Sequence, residues 1–161
     1  MPSIFYDSPI GCLLLEERDG CLVSISPVRK DAVSSLEANE KHPLTTKTPL
    51  LRETCLQLEQ YFKGYRRQFD IPLAPVGTLF QRRVWEALCA IPYGKTVSYG
   101  DIARVVDSPR AFRAVGMACH NNPLMIVVPC HRVLAAGGRI GGYSEGLAIK
   151  YFLLRLEGVL L

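Results

Sequence analysis

The chain has 161 residues, a length that favours one domain with room for a smaller subdomain. Apolar residues make up 48% and charged residues 21%, which is typical of a globular protein with a buried core. No apolar stretch approaches the roughly 20 residues that cross a bilayer, and residues 1–5 lack the basic start of a secretory signal. We therefore expect no membrane association and a cytoplasmic location, or a nuclear one in a eukaryote.

The formal net charge of +4 suits a polyanionic partner but does not require one. No two of the six cysteines form a C-x-x-C pair, and their spacing matches no zinc module. We therefore expect no metal site and no cofactor, and most of these cysteines should be small buried apolar residues. They are Cys12, Cys21, Cys55, Cys89, Cys119 and Cys130.

The first third of the chain is predicted to be β-rich. The apolar run over 10–16 and residues 21–25 flank Asp19-Gly20, a strong signal for a two-residue hairpin turn. A polar loop is predicted over 34–48 and a further strand over 68–73.

Between that loop and strand, helical spacing of apolar residues predicts a helix from Pro49 to a stop at Gly64. Its apolar positions are Leu51, Cys55, Leu58 and Phe62. Residues 74–77 have the composition of a linker. We therefore predict a small β-rich lobe over 1–74 and a second domain over 75–161.

The second domain is predicted to be mainly helical, which makes the fold class α+β. Its first helix is indicated by a helically spaced apolar face that ends at Pro92. That face consists of Phe80, Val84, Trp85 and Leu88. Ser98 and Asp101 have capping-box spacing and open a helix through about residue 106.

A second short helix is predicted from Ser108, as N-cap, and Pro109 to about His120. Two short helices joined by a tight turn indicate a helix-turn-helix, although an ordinary helical hairpin has the same pattern. Small side chains on this second helix would allow its backbone to approach another surface closely, as binding in the narrow minor groove of DNA requires. A helix that is packed in a protein core uses small side chains for the same reason. The small residues of this helix are Ala111, Ala114, Gly116 and Ala118.

After this helix the sequence predicts a turn at Asn122-Pro123, a short buried strand over 125–128 and then the run Pro129-Cys130-His131-Arg132-Val133. A glycine-rich loop over 137–146 precedes a final helix over 147–157, which Gly158 ends.

A cysteine attacks as the thiolate, and a free thiol with a pKa of about 8.5 is only slightly ionised at neutral pH. His131 adjoins Cys130, but neighbouring side chains of an extended chain point in opposite directions, which favours a bridging water over direct contact. Glu157, acidic within an apolar helix, is the candidate to orient the imidazole. The alternative is that Cys130 is an unreactive thiol packed in the core, that His131 is a polar residue with its hydrogen bonds made, and that Glu157 is a surface charge.

Short motifs over residues 79–158 then resemble, in order and spacing, the O6-alkylguanine-DNA alkyltransferases, also called methylated-DNA–protein-cysteine methyltransferases. Residues 129–133 are similar to the active-site signature of that family. Before residue 75 the chain matches the family only in general layout, apart from a short similar segment over residues 7–11. The other motifs are Phe80-Gln81, Val84-Trp85, Ile91-Pro92-Tyr93-Gly94, Ser98-Tyr99, Arg113-Ala114-Val115-Gly116, Asn122-Pro123, Gly142-Tyr143-Ser144 and Leu156-Glu157-Gly158.

The resemblance implies that Cys130 accepts the alkyl group and that Glu157, His131 and a water form the relay that makes the thiolate. It implies that Asn122 braces the turn beneath the active site. The helix over 109–120 would enter the minor groove of DNA.

The resemblance also implies roles in lesion recognition. Arg113 would fill the space left by the extruded nucleotide, and Tyr99 would help rotate the base and then donate to the purine. Other predicted DNA contacts are Arg110, Ala114 and Met117. The carbonyls of Cys130 and Val133 and the amide of Ser144 would contact the base, with Tyr143 and Met125 lining its pocket.

The expected function is therefore direct reversal of O6-alkylguanine in double-stranded DNA, with O4-alkylthymine as a further candidate substrate. The product is a thioether that water does not hydrolyse, so each molecule, expected to be a monomer, would act once. The alternatives are a non-catalytic protein that recognises alkylated DNA, a transcriptional helix-turn-helix module and a Cys-His hydrolase. Cys119 in the DNA-facing helix and Asn121 depart from the family pattern.

Overall fold

A computed structural model describes residues 1–29 and 48–161. The chain forms two compact units, Met1–Pro75 and Val76–Leu161. Among the described residues, no helix combines the length and apolar character needed to cross a membrane.

The first unit contains an antiparallel sheet in the order β1 (Ser3–Ser8), β2 (Gly11–Arg18) and β3 (Cys21–Pro27). The predicted hairpin is present: Asp19 and Gly20 join β2 to β3. Both residues have positive φ, as a two-residue type I′ turn requires. Strand β1 was not predicted as a separate element.

Helix α1 (Pro49–Phe62) packs on this sheet, and Thr48 caps it by accepting a hydrogen bond from the Leu51 amide. Its buried side includes Leu51 and Leu58, as predicted. Apart from Thr48, the polar loop predicted over 34–48 lies outside the described residues.

The strand predicted over 68–73 is wrong, since only Leu73 makes a β-bridge, to Leu22. The Gln57 side chain pairs with both the amide and the carbonyl of Asp70, so that residue has no need of a strand partner. Pro72 also lacks the N–H that a strand ladder uses.

The second unit is built around three helices that contact one another: α2 (Leu79–Cys89), α3 (Tyr99–Val105) and α4 (Phe112–His120). Trp85 of α2 is buried and donates its indole N–H to the Ala118 carbonyl of α4 at 2.8 Å. The predicted capping box of Ser98 and Asp101 opens α3.

Helix α4 starts later than predicted, at Phe112, without a side-chain cap. Ser108 completes the end of α3 instead, because its amide donates to the Ala103 carbonyl across Asp107, which has a φ of 57°. Residues 108–111 form a turn closed by the Ala111 amide and the Ser108 carbonyl, so Arg110 is not on the helix.

The remaining elements are the parallel pair β4 (Val97–Ser98) and β5 (Val133–Leu134) and the final helix α5 (Leu147–Leu156). The strand predicted over 125–128 is wrong. That segment is buried as expected but forms turns, in which Val128 N–H donates to the Leu124 carbonyl and Ile126 takes a φ of 73°. The extended backbone expected at Cys130 and His131 is wrong too, since Cys130–Arg132 forms a 3₁₀ turn.

Gly77→Ala tests the packing at the start of the second unit. A Cβ on Gly77 would lie 2.5 Å from the Trp85 ring, and that buried indole is held by its bond to Ala118. We expect the free energy of unfolding, measured with urea, to fall by about 1–3 kcal/mol.

Gly116→Ala is the matched control, since a Cβ there meets nothing within 4 Å and alanine favours the helix by up to about 1 kcal/mol. Equal stabilities of the two variants would contradict the packing described for Gly77.

Candidate active site

Cys130 lies in the 3₁₀ turn directly before β5 and is only 5% exposed. Because β5 pairs with β4, and β4 leads straight into α3, the turn is brought close to Tyr99 at the start of α3. The Asn122 amide donates to Cys130 Sγ at 3.2 Å. The thiol is thus placed from three separate parts of the chain.

Asn122 braces the buried turn in front of the thiol. Its Nδ2 donates to the Val128 carbonyl at 2.8 Å as well as to the sulfur, and its Oδ1 accepts from the Leu124 amide at 2.9 Å. One side chain therefore pairs two backbone groups of a turn that has no strand partner.

The predicted carboxylate–imidazole pair is formed by buried side chains. His131 is fully buried, and its Nε2 lies 2.6 Å from Glu157 Oε2. Its Nδ1 is also buried and has no hydrogen-bond partner among the described residues. Burial lowers the pKa of His131, against the opposing effect of Glu157, so the resting imidazole is neutral and Nδ1 can accept a proton.

Glu157 also binds Arg132, to which no sequence pattern assigned a role. Arg132 Nε donates to Oε1 at 2.8 Å and Nη2 donates to Oε2 at 3.1 Å. The Gly94 amide adds a bond to Oε1 at 3.1 Å, made where Gly94 has a φ of 75°. Arg132 Nη1 donates to the Ile91 carbonyl. The carboxylate therefore has donors on both oxygens, as a buried charge requires.

Lys150 is a second buried cation, and it was not among the predicted site residues. It is 0% exposed, and its Nζ donates to the carbonyls of Val133 at 2.8 Å and Gly142 at 2.9 Å. Burial lowers its pKa to about 8. The ammonium ties the glycine-rich loop to the backbone just after Cys130.

Cys130 opens onto a cavity of about 410 Å³, a volume within the usual range for small-molecule sites. Tyr99 donates to the Gly142 carbonyl at 3.5 Å across it. The Tyr143 hydroxyl is buried without a hydrogen bond of normal geometry, and burial followed by the nearby Cys130 raises the pKa of Tyr143 well above its usual value. The lining residues are Tyr99, Gly116, Met117, Cys119, His120, Cys130, Gly142, Tyr143 and Ser144.

Burial also raises the pKa of the Cys130 thiol, while the Asn122 hydrogen bond and the Lys150 charge oppose that rise. The resting thiol is therefore protonated, and reaction requires a base. Cys119 shares the cavity, but burial raises its pKa to about 12, which makes it a poor nucleophile.

The structure brings some predicted site residues together and separates others. Arg110, Arg113 and Ala114 are exposed, outside the residues that line the cavity, while Met117 is both exposed and part of the lining. Met125 is buried and does not line the cavity, contrary to the expectation.

A signal for Lys150 was available in the sequence. It lies three and four residues before Leu153 and Leu154 and seven before Glu157, so all four share the buried face of α5. No similar spacing indicates Arg132, because its partners Ile91, Tyr93 and Glu157 are distant in sequence.

Within residues 1–29 and 48–161, no three His, Cys, Asp or Glu side chains are grouped so that they could hold a metal ion.

A family model described as the DNA-binding domain of 6-O-methylguanine DNA methyltransferase matches residues 79–159. A second, described as the ribonuclease-like domain of 6-O-methylguanine DNA methyltransferase, matches residues 2–75. The chain belongs to the 6-O-methylguanine DNA methyltransferase family.

Full-length relatives share this assignment. The chain is 46% identical over 157 residues to the methylated-DNA–protein-cysteine methyltransferase of Methanosarcina acetivorans, covering 95% of this chain and 96% of the relative. It is 42% identical to the constitutive enzyme of that name from Bacillus subtilis, covering 95% and 93%. The solved structure of Mycobacterium tuberculosis OGT in complex with DNA is 39% identical, with a TM-score of 0.82 over 98% of this chain and 92% of that one.

Asn122→Ala tests the brace beneath the thiol. The change leaves the Leu124 amide without its partner, while the Val128 carbonyl keeps only the bond from the Cys130 amide, so we expect the free energy of unfolding to fall by about 1–3 kcal/mol. Urea denaturation of the intact chain measures it. Asn121→Ala, at the exposed neighbouring position, should stay within about 0.5 kcal/mol of wild type; similar losses in both variants would contradict the assigned role.

Proposed function

We propose that this chain repairs alkylated DNA directly, by transferring the alkyl group of O6-alkylguanine to Cys130. The observation that carries the proposal is the arrangement at the thiol: Cys130 is buried, it opens onto a cavity of about 410 Å³, and the next residue, His131, is held by Glu157. The chemistry of O4-alkylthymine is the same, and it is a second candidate substrate.

The proton path follows from the free nitrogen of the imidazole. His131 Nε2 is occupied by Glu157, so the proton of the Cys130 thiol goes to Nδ1, by way of a bridging water. Glu157 stabilises the imidazolium that forms.

The transfer itself is a single displacement. Cys130 Sγ attacks the alkyl carbon, the carbon–oxygen bond breaks, and its electron pair stays on the guanine oxygen. A donor that stabilises the departing guanine would speed the step, and Tyr99, which faces the cavity, is the candidate because its pKa is raised and its hydroxyl keeps its proton. The thioether product is stable, so each molecule acts once.

The lesion lies inside a duplex and must leave the base stack to reach a thiol that is 5% exposed. Helix α4 supplies the adjoining surface: Arg113 and Ala114 are exposed on it, and Met117 lies at the cavity mouth. We assign α3 and α4 as a helix-turn-helix that enters the minor groove, with Arg113 filling the space of the flipped nucleotide.

The remaining predicted contacts are assigned either to the flipped base or to the DNA backbone. The backbone of Cys130 and Ser144 and the side chain of Tyr143 border the cavity and are assigned to the base. The Val133 carbonyl accepts from Lys150 and has a second lone pair available for the exocyclic amine. Arg110, in the exposed turn before α4, is assigned to phosphate. The partner is double-stranded DNA, bound by a monomer in the cytoplasm, or in the nucleus of a eukaryote.

Intact-protein mass spectrometry after incubation with a duplex carrying one O6-methylguanine tests the function. We expect wild type to gain one methyl group per chain, mapped to Cys130, and Cys130→Ser to gain none. A folded wild-type protein that binds the lesion without gaining mass would instead be a recognition protein.

Arg113→Ala tests the assignment of α4. We expect slower methyl transfer from the duplex, because extrusion of the base costs a few kcal/mol that the inserted arginine offsets. Transfer from the free O6-alkylguanine base, which needs no extrusion, should keep its wild-type rate. Arg155→Ala, at an exposed position of α5, is the control; equal losses on duplex and free base would rule out a role in extrusion.

A further inference from the structure

Three charged or ionisable side chains meet at one point inside the second unit. Glu157 Oε2 lies 2.6 Å from His131 Nε2 and 3.1 Å from Arg132 Nη2, while Oε1 lies 2.8 Å from Arg132 Nε. All three residues are buried, with Arg132 6% exposed. Their formal charges are therefore poorly screened and must nearly cancel.

The charge of Arg132 decides which protonation state of His131 is neutral overall. A guanidinium is permanently charged, so Arg132 and an ionised Glu157 already sum to zero when His131 is neutral. A proton on His131 would leave one uncompensated positive charge. Without Arg132 the balance reverses, because imidazolium and carboxylate would then form the neutral pair.

We propose that Arg132 keeps His131 in its neutral, proton-accepting form, and is thus a positioning residue for alkyl transfer that acts through Glu157. This inference rests on the proposed function, since it concerns the base of that reaction. Arg132 does not line the cavity and has no direct contact with substrate in this role.

The direction of the pKa shift at His131 agrees with this assignment. Burial lowers the pKa of His131, Glu157 raises it, and Arg132 and then Lys150 lower it. Other ionisable groups near this turn are Cys130 within it, Cys89, which faces Arg132 from α2, and Tyr93, whose ring lies 5.7 Å from the guanidinium carbon. Lys150 is the same in every variant. Arg132→Gln removes the positive charge that lowers the pKa of Cys89, so that thiol stays protonated over the acid limb and adds no charge to the comparison.

The matched pair is Arg132→Gln, which removes the charge but keeps a polar side chain, and Arg132→Lys, which keeps the charge. His131 accepts a proton only above its own pKa. Removing the positive charge raises that pKa, so the acid limb of the rate profile should move to higher pH in Arg132→Gln and stay near wild type in Arg132→Lys.

The experiment measures single-turnover methyl transfer from an O6-methylguanine duplex across pH for wild type and both variants. For Arg132→Gln we expect the midpoint to rise by at least about one pH unit, so that the rate falls by about tenfold at pH values below the wild-type midpoint and recovers above the new midpoint. A purely structural role would instead lower the rate by the same factor at every pH, with the midpoint unmoved, and would overturn the proposal.

A second readout does not depend on catalysis. The chain has three histidines, so ¹H–¹⁵N spectra of histidine-labelled protein, assigned with His131→Gln, give the titration of His131 in each folded variant. A higher pKa in Arg132→Gln but not in Arg132→Lys supports the proposal, and equal values overturn it. A wild-type protein that transfers no methyl overturns the proposed function, while this titration still decides the effect of Arg132 on His131.

Discussion

The buried carboxylate of Glu157 is the interaction on which the site depends. It comes from the end of α5 and receives hydrogen bonds from His131 and Arg132 in the active-site turn and from the Gly94 amide in the turn after α2. A buried carboxylate without these donors would be strongly destabilising, because an unpaired charge in an apolar interior costs several kcal/mol. The same contacts that pair the charge also position the base.

In this arrangement the residues that position the base are different from the residues that line the cavity. Glu157, His131 and Arg132 are buried and do not line the cavity, while Cys130, Tyr99 and Tyr143 line it. Asn122 holds the thiol against the buried turn before it, since its amide nitrogen donates to both the Cys130 sulfur and the Val128 carbonyl. Alkylation of the sulfur therefore changes a contact on which the local backbone depends.

Much of this could be predicted from sequence where the signal is local or periodic. The hairpin at Asp19-Gly20 and the capping box at Ser98 each follow from short-range patterns. The predictions were wrong where contacts with other segments determine the local structure. Residues 125–128 read as a strand by their apolar character, yet Asn122 supplies the hydrogen bonds a sheet would have given. Ser108 has the residue type of an N-cap, but its amide completes the preceding helix.

Only part of the candidate active site could be predicted from the sequence. The resemblance to the alkyltransferases pointed to Cys130, His131 and Glu157, and the structure places the last two 2.6 Å apart. It did not point to Arg132 or Lys150, whose partners are backbone carbonyls and a carboxylate contributed by other segments. Met125 was assigned to the pocket, but its side chain is buried in the turn away from the cavity lining.

The central claim is that the Glu157 carboxylate makes His131 a base for the Cys130 thiol, and a single comparison tests it most directly. Glu157→Gln keeps the shape of the side chain but removes its charge. The measurement is the rate of methyl gain at Cys130 with an O6-methylguanine duplex at saturating protein, followed by intact-protein mass spectrometry in wild type and this variant. Our account predicts that the variant still binds the duplex and gains the methyl group at least about a hundredfold more slowly, within the range expected for loss of general-base catalysis. Equal rates in the two folded proteins would contradict it.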